Sequence, residues 1–274
     1  MAKKVLYINQ EIIPYVPESE MSHLGRLIPQ TIQEKGYEIR TSMPKWGNIN
    51  ERRGQLHEVI RLSRMMLIID ETDHPLIIKV ASIPSTRIQV YFIDNEDYFT
   101  KRLMGFDENG KEYDDNGERA IFFARGVLET VKKLRWTPDI IHCQGWMCSI
   151  IPLYIKKAYQ DEPSFANTKV VTSLFSEELH DDLGANFRQS IEFRDVKADI
   201  LDKYNNSDVF GFQDLQKLAI DYSDGIVNAG KSVNPELIAY AKESGLPFMD
   251  NPADDEICPK YEEFYDKVFE GGSE

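Results

Sequence analysis

The sequence predicts one α/β domain of the doubly wound, Rossmann-like kind, with a mainly parallel sheet and a β-hairpin insertion. Strand-like and helix-like segments alternate over most of the 274 residues, which is typical of a parallel sheet covered by helices. The chain opens with strand, helix and strand, the repeating unit of such a sheet. Three β-rich runs at 65–70, 76–83 and 87–94, separated by turn-like residues, interrupt the alternation and predict the insertion.

The opening unit follows from the spacing of apolar residues. Residues 3–9 contain a short apolar run that predicts a buried strand, and residues 37–43 predict a second one. The helix between them is predicted by apolar residues that share one helical face: Met21, Leu24, Leu27, Ile28 and Ile32. Gly36 is a natural helix end, whereas Pro29 inside the helix predicts a kink.

The same patterns continue the alternation towards residue 250. Later strands are predicted at 139–143, 169–175 and 225–228. Later helices are predicted at 118–134, 147–159, 213–222 and 235–242. Because the segment after Met249 is acidic and contains proline, we expect residues 1–250 to form the domain and residues 251–274 to be a peripheral acidic tail.

The composition argues against several kinds of partner. Lys and Arg total 32 against 46 Asp and Glu, a formal charge of −14, which disfavours nucleic acid or an anionic membrane as the main partner. No apolar run is long enough to span a bilayer or to act as a secretion signal, so we expect a cytoplasmic protein. The cysteines Cys143, Cys148 and Cys258 lack zinc-ligand spacing, and we expect no disulfide, metal site or cofactor.

One segment matches the phosphate-loop pattern of nucleoside triphosphatases. Residues 225–232 read Gly-Ile-Val-Asn-Ala-Gly-Lys-Ser, which fits G-x-x-x-x-G-K-S. A phosphate loop needs a strand that ends at its first glycine and a helix that follows its serine. Here Ile226 and Val227 put the predicted strand inside the motif, and Pro235 interrupts the place of the helix. An NTPase is therefore retained only as an alternative function.

Three other features have a structural and a functional interpretation. His142 ends an apolar strand, where a histidine is more often a hydrogen-bonded core residue than a catalytic one. Trp146 could belong to the core or stack on a sugar ring. The loop at 114–119 lacks calcium-ligand spacing and fits a helix N-cap with a first-turn glutamate.

Several short motifs occur in a fixed order along the chain. They are Asn-Gln-Glu-Ile-Ile-Pro at 9–14, Met-Pro-Lys-Trp-Gly-Asn-Ile at 43–49, Tyr-Phe-Ile-Asp-Asn-Glu-Asp-Tyr-Phe at 91–99, Asp-Asn-Gly-Glu-Arg at 115–119 and Pro-Asp-Ile-Ile-His-Cys-Gln-Gly-Trp at 138–146. Over roughly residues 1–245, their order and spacing resemble the N-terminal domain of bacterial glycogen synthases and plant starch synthases, the retaining glucosyltransferases of family five with a two-domain GT-B fold. The resemblance makes residues 225–237 an ordinary strand and helix.

The segment that aligns with the family's donor site departs from the family pattern. The family has Lys-x-Gly-Gly-Leu after its first strand, where glycines let the backbone approach the donor phosphates, whereas this chain has Pro-Glu-Ser-Glu-Met at 17–21. A like-charge contact at about 4 Å costs about 4 kcal/mol at an effective dielectric of 20, so Glu18 and Glu20 would oppose a diphosphate unless they turn into solvent.

Two catalytic positions of the family are also altered. Its aspartate after the glycine loop aligns with His23, and its active-site histidine aligns with Gln144. Glutamine can hydrogen-bond a sugar hydroxyl but cannot take a positive charge. The catalytic residues of this chain are therefore not identified, and we expect the isolated chain to be weak or inactive.

The resemblance implies a role in glucan synthesis. It implies transfer of glucose from ADP-glucose to an α-1,4-glucan without a metal, by a half-enzyme that needs a separately encoded C-terminal glycosyltransferase domain. The positions that it places against substrate are Glu11, Asp115, Asn116, Arg119, Gln144 and Trp146. A non-catalytic glucan-binding or regulatory descendant is the alternative. Exposed sheet edges would also favour association into a homo-oligomer.

Overall fold

The computed structural model describes residues 2–207 and 209–271. The strands are β1 (Lys4–Asn9), β2 (Glu38–Pro44), β3 (His57–Glu58), β4 (Met65–Ile69), β5 (Thr72–Ser82), β6 (Gln89–Asp94), β7 (Ile140–Gln144), β8 (Lys169–Leu174), β9 (Gly225–Asn228) and β10 (Phe248–Asp250). The helices are α1 (Glu20–Glu34), α2 (Glu51–Gly54), α3 (Asn116–Leu134), α4 (Ile151–Leu153), α5 (Phe187–Ser190), α6 (Phe212–Asp221), α7 (Pro235–Glu243) and α8 (Ile257–Glu270). Short 3₁₀ turns lie at Trp146–Cys148, Ala198–Lys203 and Asp254–Glu256, and a π-helical turn lies at Tyr154–Ala158.

The strands form one mainly parallel sheet with β1 near its middle. The order is β10-β9-β8-β7-β1-β2-β6-β5-β3, with β4 paired to β5. Every pair from β10 to β6 is parallel, whereas β5 runs antiparallel to β6, β3 and β4. The strand order reverses between β7 and β2, on either side of β1, as in a doubly wound sheet. The fold class predicted from the sequence is confirmed.

The predicted hairpin insertion is β4 and β5, which extend one edge of the sheet. The turn between them uses Asp70 and Glu71, both with left-handed backbone at φ 47° and 62°. The third β-rich run is β6, and it differs from a hairpin strand because it pairs in parallel with β2. It therefore belongs to the main sheet and brings its own C-terminal loop to the edge where β1 and β2 end.

The sequence predicts one helix over 147–159, but the structure has several short turns there. Pro152 has no N–H to donate to an upstream carbonyl, and it lies in the first turn of the short α4. The chain then continues as the π-helical turn, closed by the Tyr159 N–H, which donates to the Tyr154 carbonyl at 2.8 Å. By contrast, α1 runs through Pro29 from Glu20 to Glu34.

The prediction of a peripheral acidic tail is wrong for residues 257–270. They form α8, which packs against α1 and closes one face of the sheet. The acidic residues of α8 face outward, and its inward face is buried: Ile257, Tyr261, Phe264, Tyr265 and Val268. The apolar residues of this segment recur at helical spacing and form one face of an amphipathic helix. The prediction was wrong because it used the average composition of the segment and not this spacing. Residues 272–274 of the predicted tail lie outside the described residues.

The central strands of the sheet are buried. All five residues of β7 are buried, as are the last five of β1. Within the described residues, no helix is long and apolar enough to cross a membrane.

Candidate functional site

Polar side chains lie in a row at the carboxyl edge of the sheet, where β1, β7, β8 and β9 end. Asn9 is in register with Gln144, and Gln144 with Ser173. Asn228, at the end of β9, is in register with Leu174. Doubly wound folds bind their ligands at this edge, so the loops that leave these strands define the candidate site.

One cavity at this edge lies beside the first turn of α1. We call it the α1 pocket; it has a volume of about 640 Å³ and is lined by residues from 18–24, 228–231 and 250–254. Residues 18–20 of its wall belong to the segment that aligns with the family's donor loop. The first turn of α1 is capped by Ser19, whose Oγ accepts from the Ser22 N–H at 3.0 Å.

Residues from different segments that line the α1 pocket hydrogen-bond one another. The Lys231 backbone N–H donates to Glu20 Oε2 at 3.2 Å, so a carboxylate of this chain takes an amide that a bound anion would otherwise use. On the other side, His23 Nε2 and Asp254 Oδ2 are 2.8 Å apart. His23, the position of a family aspartate, therefore lies at the pocket wall with an acidic partner.

The charges that line the α1 pocket are mostly negative. Four carboxylates, one lysine and one histidine lie around it: Glu18, Glu20, Asp250, Asp254, Lys231 and His23. Because at most two positive groups face four negative ones, the pocket disfavours a diphosphate. Glu18 and Glu20 both lie in the wall of the α1 pocket, as expected if they oppose a diphosphate there.

The phosphate-loop match lies at the same edge. The strand β9 occupies the first four residues of the motif, and α7 begins at Pro235, three residues after its serine. The backbone therefore has the strand inside the motif, as the sequence argument requires, and lacks the strand-loop-helix order of a phosphate loop.

Glu11 and Glu178 meet at the end of β1, next to Gln10. Gln10 Nε2 donates to Glu178 Oε2 at 2.8 Å, and Gln10 Oε1 accepts the Met147 N–H at 3.2 Å. Burial raises the pKa of Glu178 to about 7, with a further contribution from the nearby Glu11 carboxylate. Burial also raises the pKa of Glu11, which accepts a hydrogen bond from Ser19 Oγ. Glu178 can thus change its charge near neutral pH.

Sequence reasoning did not find Glu178 or the central position of Gln10. Glu178 lies in the loop after β8, and none of the motifs singled out in the sequence includes it. The available signal was its placement in the loop after a buried strand, where ligand-facing residues are expected.

Asp115 and Arg102 form a two-point ion pair beside the loop that follows β6. Arg102 Nη1 and Nη2 lie 2.7 Å and 2.5 Å from the two carboxylate oxygens of Asp115. Both residues remain partly exposed. Asp115 and Glu118 are thus the two members of the 115–119 motif that are not buried, and the charge of Asp115 is already paired.

Arg119 and Asn116 are buried and hold the loop in place. The Arg119 guanidinium donates to the carbonyls of Tyr98, Leu103 and Met104 at 3.0, 2.6 and 2.6 Å, and to Asn116 Oδ1 at 2.9 Å. Burial lowers the pKa of Arg119 to about 9, which leaves it protonated at neutral pH. Arg119 is fully buried and Asn116 is 1% exposed, so neither side chain can contact a substrate in this fold.

Gln144 and Trp146 are also enclosed. Trp146 is 2% exposed and lies beneath the loop at Gly105. Gln144 is fully buried, and neither its amide nitrogen nor its amide oxygen has a hydrogen-bond partner among residues 2–207 and 209–271. The structure thus brings Glu11 and Asp115 to accessible positions and places the other four predicted residues in the interior.

His142 is a core residue. Its Nδ1 lies 2.8 Å from Tyr265 Oη, and its Nε2 lies 2.7 Å from Ser173 Oγ. Burial lowers its pKa to about 3, so the ring is neutral. The structural interpretation of this histidine is confirmed.

Comparison with known proteins gives one consistent family. The family model of the starch synthase catalytic domain matches residues 4–247. Glycogen synthases of Chlorobium luteolum and Chlorobium limicola are 42% and 40% identical over 172 residues, which cover 62% of this chain and 35% of each of those proteins. The match thus spans about a third of the length of these curated relatives.

A solved structure agrees at the level of the fold. The catalytic domain of starch synthase IV from Arabidopsis thaliana, bound to ADP and acarbose, superposes with a TM-score of 0.66 at 15% identity. The superposition covers 83% of this chain and 45% of that chain. At this identity, the likeness shows a shared fold alone.

Proposed function

The chain belongs to the starch synthase catalytic domain family, and from this premise we propose that it is a glucosyltransferase-type domain whose own edge no longer binds the donor. In this proposal it takes part in glucose transfer from ADP-glucose to an α-1,4-glucan together with a second glycosyltransferase domain. Alone, it is inactive with ADP-glucose. The contact between Glu20 and the Lys231 amide carries the proposal.

The physical argument concerns the phosphates of the donor. A diphosphate at the α1 pocket would need backbone N–H groups and positive side chains. Glu20 already accepts from the Lys231 amide, and three further carboxylates line the cavity. One like-charge contact at about 4 Å costs about 4 kcal/mol at an effective dielectric of 20, which corresponds to roughly three decades of affinity.

Repair of the donor edge tests this argument. The variant Pro17→Lys/Ser19→Gly/Glu20→Gly restores the lysine and the two glycines of the family pattern and changes the charge by +2. We expect it to bind ADP at least tenfold more tightly than the natural chain in isothermal titration calorimetry. Glycine is tolerated at the N-cap with a loss of a few tenths of a kcal/mol, so α1 should remain folded.

The matched control is Glu58→Lys, which also changes the charge by +2. Glu58 is an exposed residue of β3, at the opposite edge of the sheet from β10. The variant Glu58→Lys should leave the affinity for ADP unchanged. Micromolar binding of ADP-glucose by the natural chain, or equal affinities for the two variants, would contradict the proposal.

A non-catalytic glucan-binding or regulatory descendant is the second candidate. It is favoured by the buried Gln144, which stands in place of a catalytic histidine and faces no charged group in hydrogen-bond reach among the described residues. The two candidates differ in an extract of cells that lack this chain. Adding the purified chain should raise incorporation of radiolabelled ADP-glucose into glycogen if it is half of an enzyme, and should not if it is non-catalytic.

A further inference from the structure

A second cavity lies on the other side of the start of α1, away from the α1 pocket. We call it the loop pocket; it has a volume of about 900 Å³ and is lined by the segments 14–17, 48–50, 53–55 and 82–86. We infer that the loop pocket is a binding site for a neutral sugar chain. The choice of an α-1,4-glucan as its ligand rests on the proposed function, whereas the neutral, hydroxyl-rich character of the ligand rests on the lining residues.

The lining is neutral in a highly charged protein. Asp, Glu, Lys and Arg make up 28% of the chain, but among the described residues that line the loop pocket Arg53 is the sole charged one. The other polar groups are amides and hydroxyls, and the walls between them are proline, valine and isoleucine. Neutral hydrogen-bonding groups over an apolar surface suit a ligand with many hydroxyls and apolar C–H faces.

Several of these polar side chains have no partner in the folded chain. Asn48, Gln55, Ser82 and Ser85 are exposed at the rim and make no side-chain hydrogen bond with any residue that the structure describes. Asn50 is different, because its Oδ1 accepts the Arg53 N–H at 2.9 Å and caps α2. Four side chains on two separate loops are thus available to a ligand.

Tyr15 contributes a buried polar group at the floor. Its side chain is 9% exposed and packs edge-on against Phe92, with ring centroids 4.9 Å apart. Its hydroxyl has no hydrogen-bond partner within residues 2–207 and 209–271. A buried hydroxyl without a partner is destabilising, and a ligand hydroxyl that reaches the floor would supply the missing partner.

Two rim residues are held in an uncommon backbone conformation. Gln55 and Ser85 have φ of 54° and 65°, a left-handed region that residues other than glycine rarely adopt. Gln55 is the left-handed C-cap that ends α2, and Ser85 lies in the turn between the paired strands β5 and β6, so the local structure sets both conformations. Here they present two neutral side chains from opposite loops.

The loop pocket shares a segment with the α1 pocket. The segment from Pro14 to Glu20 lines the loop pocket with its first four residues and the α1 pocket with its last three. A sugar chain bound in the loop pocket would thus contact the backbone that carries Glu20.

Titration with maltoheptaose tests the inference. We expect amide shifts in ¹⁵N–¹H spectra to cluster at 15–16, 48–50, 53–55, 82–83 and 85–86. The variant Asn48→Ala/Ser82→Ala, at two exposed rim positions, should bind maltoheptaose at least fivefold more weakly in calorimetry. The control Ser164→Ala/Asn167→Ala makes the same changes in the turn before β8 and should bind as the natural chain does.

The inference is overturned if maltoheptaose does not bind, if the shifts cluster elsewhere, or if the rim variant and the control bind equally well. The ADP titrations report on the α1 pocket separately. Tight ADP binding together with maltoheptaose at the loop pocket would reject the proposed function and keep this site. Absence of both would reject the site and leave the donor argument standing.

Discussion

Burial divides the residues that the resemblance places against substrate into two groups. Glu11 and Asp115 keep access to solvent, whereas Arg119 is enclosed and donates to three carbonyls of the loop after β6. A charged side chain is rarely buried without such partners. The motif at 115–119 therefore shapes the edge of the sheet by fixing a loop, and this role is independent of whether glucose is transferred.

Glu178 predicts a pH dependence of stability. Its pKa is raised from 4.5 to about 7 in the folded chain by burial, so between these values the folded state holds a proton that the unfolded state has released. The stabilisation is complete below pH 4.5 and is lost as the pH rises through about 7. Relative to Glu178→Gln, the natural chain should lose about 3 kcal/mol of unfolding free energy over this interval, at 1.36 kcal/mol per pKa unit.

Urea denaturation at a series of pH values measures this difference. The adjacent and exposed Glu177 supplies the control, because Glu177→Gln removes the same charge from the same loop. Parallel stability curves for the natural chain and Glu178→Gln would show that folding does not raise the pKa of Glu178.

At the scale of the element, α8 is an integral part of the domain. Its Tyr265 Oη lies 2.9 Å from Tyr7 Oη and 2.8 Å from His142 Nδ1, and it thereby joins α8 to β1 and β7. An isolated peripheral helix would have no such contacts with the two most central strands. The helix closes the face of the sheet that α1 covers only in part.

The variant Tyr265→Phe tests the attachment of α8. It leaves the buried Tyr7 hydroxyl and His142 Nδ1 without this partner, which should lower the free energy of unfolding by about 2 kcal/mol. Tyr222→Phe removes a hydroxyl that has no side-chain hydrogen bond to the described residues and should change stability by less than about 0.5 kcal/mol. Equal stabilities of the two variants in urea denaturation would mean that α8 does not depend on this contact.

At the scale of the whole molecule, topology decides what the segment 225–232 does. The strand β9 pairs with β8 and β10 over the first four residues of the motif, so the backbone that would wrap a phosphate is part of the sheet. The loop that follows faces the α1 pocket, where Glu20 takes the Lys231 amide. Because β9 pairs with a strand on either side, the first half of this motif is part of the sheet and not of a phosphate loop.

The variant Lys231→Ala tests this interpretation. Because neither the loop geometry nor the charge suits a phosphate, ATP binding should be equally negligible for the natural chain and the variant in equilibrium dialysis with Mg²⁺. Lys242→Ala, at an exposed lysine in the last turn of α7, is the control for loss of one positive charge. Micromolar ATP binding that disappears in Lys231→Ala alone would identify a phosphate loop after all.

The sequence by itself determined the alternating elements, the parallel sheet around Lys4–Asn9 and the family, because apolar spacing and motif order are local or linear properties. It also determined that acidic residues replace the family's donor loop at 17–21. Only the tertiary structure decided which motif residues face solvent, that Glu20 bonds the Lys231 amide, and that residues 257–270 complete the core. These features depend on contacts between residues that lie 211 and 258 positions apart in the sequence. Such contacts are set by the packing of the whole sheet and not by any single stretch of the chain.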